Sequence, residues 1–146
     1  MGDPGAYTLS METCSQQVDR IHAYLSRSYW AKGITLPMVE RSVANSLCVG
    51  VFLSGEQVGF ARVVTDRATF AYLCDVYVLE GHRGKGLASR MLKAIADHPD
   101  LQGLRRIMLA TRDAHELYRR HGFAQVKRPE SLMEIRNPAY FQDPAP

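Results

Sequence analysis

Residues 78–92, VLEGHRGKGLASRML, change character in their middle. An apolar run ends at Leu79. Glycines at 81, 84 and 86 are then interspersed with the basic residues His82, Arg83 and Lys85, and an apolar stripe at helical spacing begins at Leu87. No other stretch constrains the fold as tightly. The preceding AYLCDVYVL (71–79) is rich in β-branched and aromatic residues, with Asp75 as its one carboxylate, and reads as a central strand buried on both faces. Beyond the glycines, Leu87, Ala88, Met91, Leu92 and Ile95 share one face of a helix predicted over 86–97. A strand that enters a helix through glycines leaves backbone N–H groups unpaired, at the positive end of the helix dipole. Glycine lets that backbone approach a ligand closely. With Arg83 and Lys85 beside it, the turn is suited to a phosphate. The plainer alternative is a tight turn with solvated cations, and the flanking strand and helix favour the ligand.

The rest of the chain supplies a sheet for this unit. Residues 7–11 suggest a short first strand, and Val18, Ile21, Leu25 and Tyr29 recur at helical spacing over 15–29. Pro37 sits at a plausible helix start, with Val39, Val43 and Ala44 on one face. Residues 47–53 and 58–65 read as two strands joined by the turn Ser54-Gly55-Glu56-Gln57. A further strand is expected at 106–111 and a short helix at 114–120. Asp113 and Glu116 stand at capping-box spacing there, and Gly122 suits the C-terminal cap. Residues 123–127 and 132–135 could close the sheet as a hairpin. The order ββ, then β–turn–α–β–α–β, predicts one mixed α/β sheet.

With 146 residues, 46% hydrophobic and 23% charged, the chain fits one globular domain, its ordered core expected over about 7–137. No apolar run reaches the ~20 residues of a membrane span. The opening MGDPGAYTLS lacks the basic and apolar regions of a secretory signal, so a cytoplasmic protein is expected. Cys14, Cys48 and Cys74 are odd in number and lack metal spacing; they read as buried thiols, and no metal is expected. A net charge of +3 tolerates an anionic ligand, but no aromatic platform interleaves the cations, so no nucleic-acid or membrane partner is expected.

Two nucleotide motifs fail at the glycine turn. A Walker loop would need glycine at Leu79 and Ser or Thr at Gly86, and the dinucleotide fingerprint would need glycine at Ser89. The segment Arg83-Gly84-Lys85-Gly86-Leu87-Ala88 instead matches [Q/R]-x-x-G-x-[G/A], and DAHELYRRHGF (113–123) matches A-x-x-L-Y-x-x-x-G-F at Ala114, Leu117, Tyr118, Gly122 and Phe123. In these two ordered motifs the chain resembles the GCN5-related N-acetyltransferase (GNAT) family, firmly over 71–127 and more loosely over 7–136.

The resemblance implies an α/β (α+β) single domain, a mostly antiparallel sheet of six to seven strands with about four helices. It implies acetyl transfer from acetyl-CoA to a primary amine of a small molecule or peptide, directly in a ternary complex. Val76, Tyr77 and Val78 would offer main-chain bonds to pantetheine, and the amides of Arg83, Gly84, Lys85, Gly86, Leu87 and Ala88 would hold the pyrophosphate. The reaction needs a neutral amine from a group of pKa ~10, and it expels a thiolate better released as thiol. Tyr118 occupies the family's position for the proton donor; the alternative is a core tyrosine. Asp75, buried in its strand, is a candidate base or else a structural partner for an arginine or a backbone amide. Glu80 is read as solvated, His115 and His121 as surface residues, and a water chain could replace any single base. Thr111 stands where many members carry Asn. Tyr29 and Trp30, in the link after the first helix, could hold an amine by cation–π contact or simply pack onto the sheet. A non-catalytic acyl-CoA-binding module is the competing reading, and a homodimer is left open.

Overall fold

A computed structural model describes residues 6–141. Nine regular elements follow one another: β1 (Thr8–Ser10), α1 (Val18–Leu25), α2 (Leu36–Ala44), β2 (Leu47–Leu53), β3 (Glu56–Thr65), β4 (Phe70–Val78), α3 (Leu87–Ala96), β5 (Arg106–Leu109) and α4 (His115–Arg119). The strands form one sheet in chain order, β1-β2-β3-β4-β5. All neighbours are antiparallel except β4 and β5, which are parallel because α3 carries the chain back across the sheet.

Each face of the sheet has its own core. Val49, Val51, Ala61, Val63, Ala71 and Leu73 meet the α3 stripe Leu87, Met91, Leu92 and Ile95, and Tyr118 of α4 joins the same cluster. On the other face Cys48, Phe60 and Tyr77 meet Ile21 and Leu25 of α1 and Val39 and Val43 of α2. Fully burying one such aliphatic side chain contributes about 1.5–3 kcal/mol, so the two amphipathic layers hold the sheet between them. The β2–β3 connection is tighter than expected. Ser54 and Gly55 both take positive φ, 51° and 80°, the pattern of a two-residue hairpin turn, and β3 already begins at Glu56.

Helix α1 is shorter than its apolar periodicity. At its start the buried Gln57 acts as a hub: its Oε1 accepts from Gln17 N–H at 2.7 Å, its own N–H donates to Gln17 Oε1, and its Nε2 donates to Gln16 Oε1. At its end the Ser28 hydroxyl donates to Leu25 O and accepts from Ala31 N–H. Tyr29 and Trp30 therefore leave the helix axis.

Two expectations are corrected. The sheet has five strands among the described residues, because 123–127 and 132–135 do not form a hairpin. Pro129–Ser131 closes as a single 3₁₀ turn, and the flanking arms find no strand partner. Met133 and Ile135 are 96% and 101% exposed, so the alternation there meets neither a face nor an edge to stabilise a strand. The cysteines are not uniformly buried either: Cys48 is buried and Cys74 partly so, while Cys14 is exposed.

Candidate functional site

Strand β4 carries one residue too many for its partner. Phe60 pairs with Tyr77 and Arg62 with Cys74, so Asp75 and Val76 together face Ala61. This is a β-bulge, and Asp75 absorbs it with φ 55°, a left-handed conformation that Asp tolerates better than most residues. The bulge resets the alternation of the strand. Leu73 packs on the α3 side, and four residues later Tyr77 packs on the α1 side, while Val76 and Val78 turn toward α3. Beyond Leu73 and Leu109 the paired register of β4 and β5 ends, which opens a cleft at the carboxyl ends of two parallel strands.

The glycine turn forms one end of that cleft. Leu79 N–H ends the ladder on Val58 O, residues Glu80–His82 make a 3₁₀ turn, and His82 Nδ1 meets the Tyr7 hydroxyl at 2.9 Å. Gly84 and Gly86 have φ of 76° and 74°, with open space where a Cβ would stand. Glycine is thus required there for its backbone angles, and the space over the amides is free for a ligand. Helical bonding begins at Gly86 O, which accepts from Arg90 N–H. The N–H groups of Leu87, Ala88 and Ser89 therefore have no intrahelical acceptor. Arg83 does not lie over the turn. Its Nε donates to Val78 O at 2.8 Å and its Nη2 to the Tyr24 hydroxyl, so it leans back along β4. Lys85 is exposed and does not line the cleft.

The cleft has a volume of about 1240 Å³ and runs from this turn past Val76, Tyr77 and Val78 to Asp75, Tyr29, Trp30 and Tyr118. Asp75 is fully engaged. Trp30 Nε1–H donates to its Oδ1 and Arg62 Nε to its Oδ2, each at 2.8 Å. Arg62 also donates to the Ser46 hydroxyl. The Trp30 ring lies against Tyr29 and Tyr24, and Tyr24 stacks on Tyr77 at 3.9 Å. Tyr118 is nearly buried, edge-on to Phe123. Burial pushes its phenol up to about 12, with the Tyr29 phenol and the Asp113 carboxylate adding to the effect, so it stays protonated at neutral pH. Burial likewise pushes the thiol of Cys74, in the cleft wall, up to about 11.

Helix α4 begins one residue later than expected, and its capping box does not form. Ala114 holds the N-cap position, and Thr111 Oγ1 accepts from Ala114 N–H at 3.1 Å. Thr111 completes a local turn, and Asp113 is left lining the cleft. His121 is no free surface residue, because its Nε2 meets Ser89 Oγ at 3.0 Å and ties α4 to α3. The residues that sequence reasoning missed are Arg62, Tyr24 and Arg112, whose guanidinium lies 3.7 Å over the Tyr29 ring. Only Arg112 had a signal, its place in the loop at the carboxyl end of a parallel strand. Tyr24 reads as one more packed residue beside Ile21 and Leu25 on α1, and Arg62 meets Asp75 only through the bulge.

The sequence and the fold have counterparts. The acetyltransferase (GNAT) family profile matches residues 10–123. A Gibberella zeae protein provisionally named an acetyltransferase is 34% identical over 137 residues, covering 78% of this chain and 76% of that protein. A Xanthomonas campestris pv. campestris structure, assigned provisionally to the acetyltransferases of the GNAT family, is 49% identical with a TM-score of 0.88, covering 91% of this chain and 94% of its own. A Staphylococcus aureus protein of unknown function, named a probable acetyltransferase, shares the fold at 22% identity with a TM-score of 0.69, covering 90% and 98%. A glycine turn opening onto α3, a bulged β4 and a buried tyrosine on α4 thus stand within a match that spans most of the chain, and the protein belongs to the GNAT acetyltransferase family.

Proposed function

We propose that the protein transfers an acetyl group from acetyl-CoA to a primary amine, directly within a ternary complex. One observation carries this reading: a single continuous cleft joins the open amides of the Gly84–Gly86 turn to the buried phenol of Tyr118. The residues fit the cosubstrate. The free N–H groups at the start of α3 suit a diphosphate, and the bulged edge of β4 offers main-chain groups along the cleft to an amide-bearing arm. When bound, acetyl-CoA supplies an activated thioester carbonyl.

The chain's own groups define the rest. Tyr118 enters the reaction protonated. Its pKa, raised by burial above that of a thiol, makes complete transfer to a thiolate unfavourable, so the phenol serves by hydrogen-bonding the sulfur as charge develops. Asp75 is engaged at both oxygens, by Trp30 and by Arg62, and fixes the Trp30 wall, which favours water or the exposed Asp113 as the route for the amine's proton. Burial disfavours the thiolate form of Cys74, which supports direct transfer over an acyl-enzyme on this thiol.

Thiol release from acetyl-CoA across a panel of amines, amino acids and peptides tests the proposal. Amine-dependent release that falls sharply in Tyr118→Phe supports it. Acetyl-CoA binding with no turnover on any amine would replace it with the non-catalytic binding module.

A further inference from the structure

The acceptor end of the cleft carries charge that a plain amine does not call for. Arg112, in the link between β5 and α4, lays its guanidinium on the Tyr29 ring, which belongs to the link after α1, so the contact joins the two walls of the cleft. Stacking uses the face of a guanidinium and leaves its in-plane N–H fork available. Among the described residues no carboxylate pairs with Arg112. The carboxylate best placed to neutralise this end, Asp75, is consumed by Trp30 and Arg62. One face of the Tyr29 ring is already covered by this cation and is not open to a substrate ammonium. Next in the chain, Asp113 lines the same cleft, so the loop presents one charge of each sign beside Tyr118.

We propose that the acceptor is an amine that also bears an anionic oxygen group, a carboxylate or a phosphate, and that Arg112 is the specificity-determining residue that receives it. The proposal rests on the acetyl-transfer reading above and adds the class of acceptor. A planar fork of N–H donors matches either oxyanion bidentately. Acceptors with a second cation, such as polyamines, are disfavoured by the same group. Arg112 contributes to binding and takes no part in the proton transfers, so its effect belongs in KM.

The test uses the full chain, thiol release from acetyl-CoA, and matched acceptor pairs: O-phosphoethanolamine against ethanolamine, and L-phenylalanine against phenethylamine. The anionic member of at least one pair is expected to win by about tenfold or more in kcat/KM, the worth of a charged hydrogen-bond pair, and the winning pair identifies phosphate or carboxylate. In Arg112→Ala that preference should collapse through a rise in KM of about 10- to 100-fold for the anionic member, well beyond any change for its neutral partner. Arg112→Lys should restore part of it. Equal use of charged and neutral members, or an equal loss on both in Arg112→Ala, overturns the inference while leaving acetyl transfer standing. Absence of thiol release with every amine overturns the acetyl-transfer reading itself, and the inference with it.

Discussion

Trp30 and Asp75, 45 residues apart, share a hydrogen bond of 2.8 Å from the indole N–H to the carboxylate, and Arg62 holds the other oxygen at the same distance. The site wall is thus attached to the bulge of β4 by a charge-assisted network. Two roles considered for these residues from the sequence, an aromatic wall and a base or structural carboxylate, meet here in one structural unit. The Asp75 side chain is only 9% exposed, so the pair is poorly screened.

Removing that carboxylate strands a half-buried guanidinium. Asp75→Asn keeps an acceptor for Trp30 but leaves Arg62 without its counter-charge, and should cost about 3 kcal/mol of stability in urea unfolding. Trp30 is the only tryptophan. Its fluorescence should therefore change in Asp75→Ala, where the indole loses its acceptor, and an unaltered spectrum would show that the bond does not persist in solution.

Tyr118→Phe is expected to lower kcat by about 100-fold or more, the scale of a positioned proton donor, with the Kd of CoA within a factor of two. Because the phenol sits near 12, its own deprotonation should not bend the kcat profile between pH 7 and 10. A fall in kcat over that range that disappears in Tyr118→Phe would keep the phenol as the donor but contradict its raised pKa.

Gly86→Val places a β-branched residue at φ 74°, where its Cβ meets open space, so backbone strain is its main cost. A loss of about 1–2 kcal/mol in stability is expected. Calorimetric titration with CoA should also show at least tenfold weaker binding, because the amides no longer face one point. Unchanged affinity would remove the turn from the binding site.

Thiol reactivity separates the three cysteines. At pH 8 the folded chain should titrate one fast thiol, Cys14, and all three once unfolded. Cys74→Ala should keep most of the turnover, since burial holds that thiol neutral. A collapse of kcat in this variant would point instead to a covalent acyl-enzyme.

Alkaline stability follows from the same groups. Cys48 and Cys74 are raised from 9.0 to about 12 and about 11, and Tyr118 from 10.0 to about 12. Above pH 9 the unfolded chain loses these protons first, so it binds fewer protons than the folded state and stability falls as pH rises. Urea midpoints should be level below about pH 9 in respect of these groups and decline from there toward pH 12. A midpoint that rose over this range would contradict the burial of these groups.

Local pattern alone determined a good deal of this protein. The apolar run 71–79, the glycine turn and the stripe from Leu87 could form little other than strand, turn and helix, because period and glycine chemistry act within a few residues, and β2 emerged over 47–53 as read. The A-x-x-L-Y pattern likewise placed Tyr118 on a short helix. Contacts between distant segments decided the rest. The bulge at Asp75 has no local signature, since it exists only as a mismatch between β3 and β4, yet it turns Asp75 toward Arg62 and Trp30 and sends Tyr77 to the opposite core from Leu73. Gln57 trimmed α1 from a strand forty residues away, and the stacking of Arg112 on Tyr29 joined two loops that no spacing rule connects. The tail at 132–135 shows the converse: its alternation is that of a strand, but a strand needs a neighbour to satisfy its backbone, and no described segment provides one.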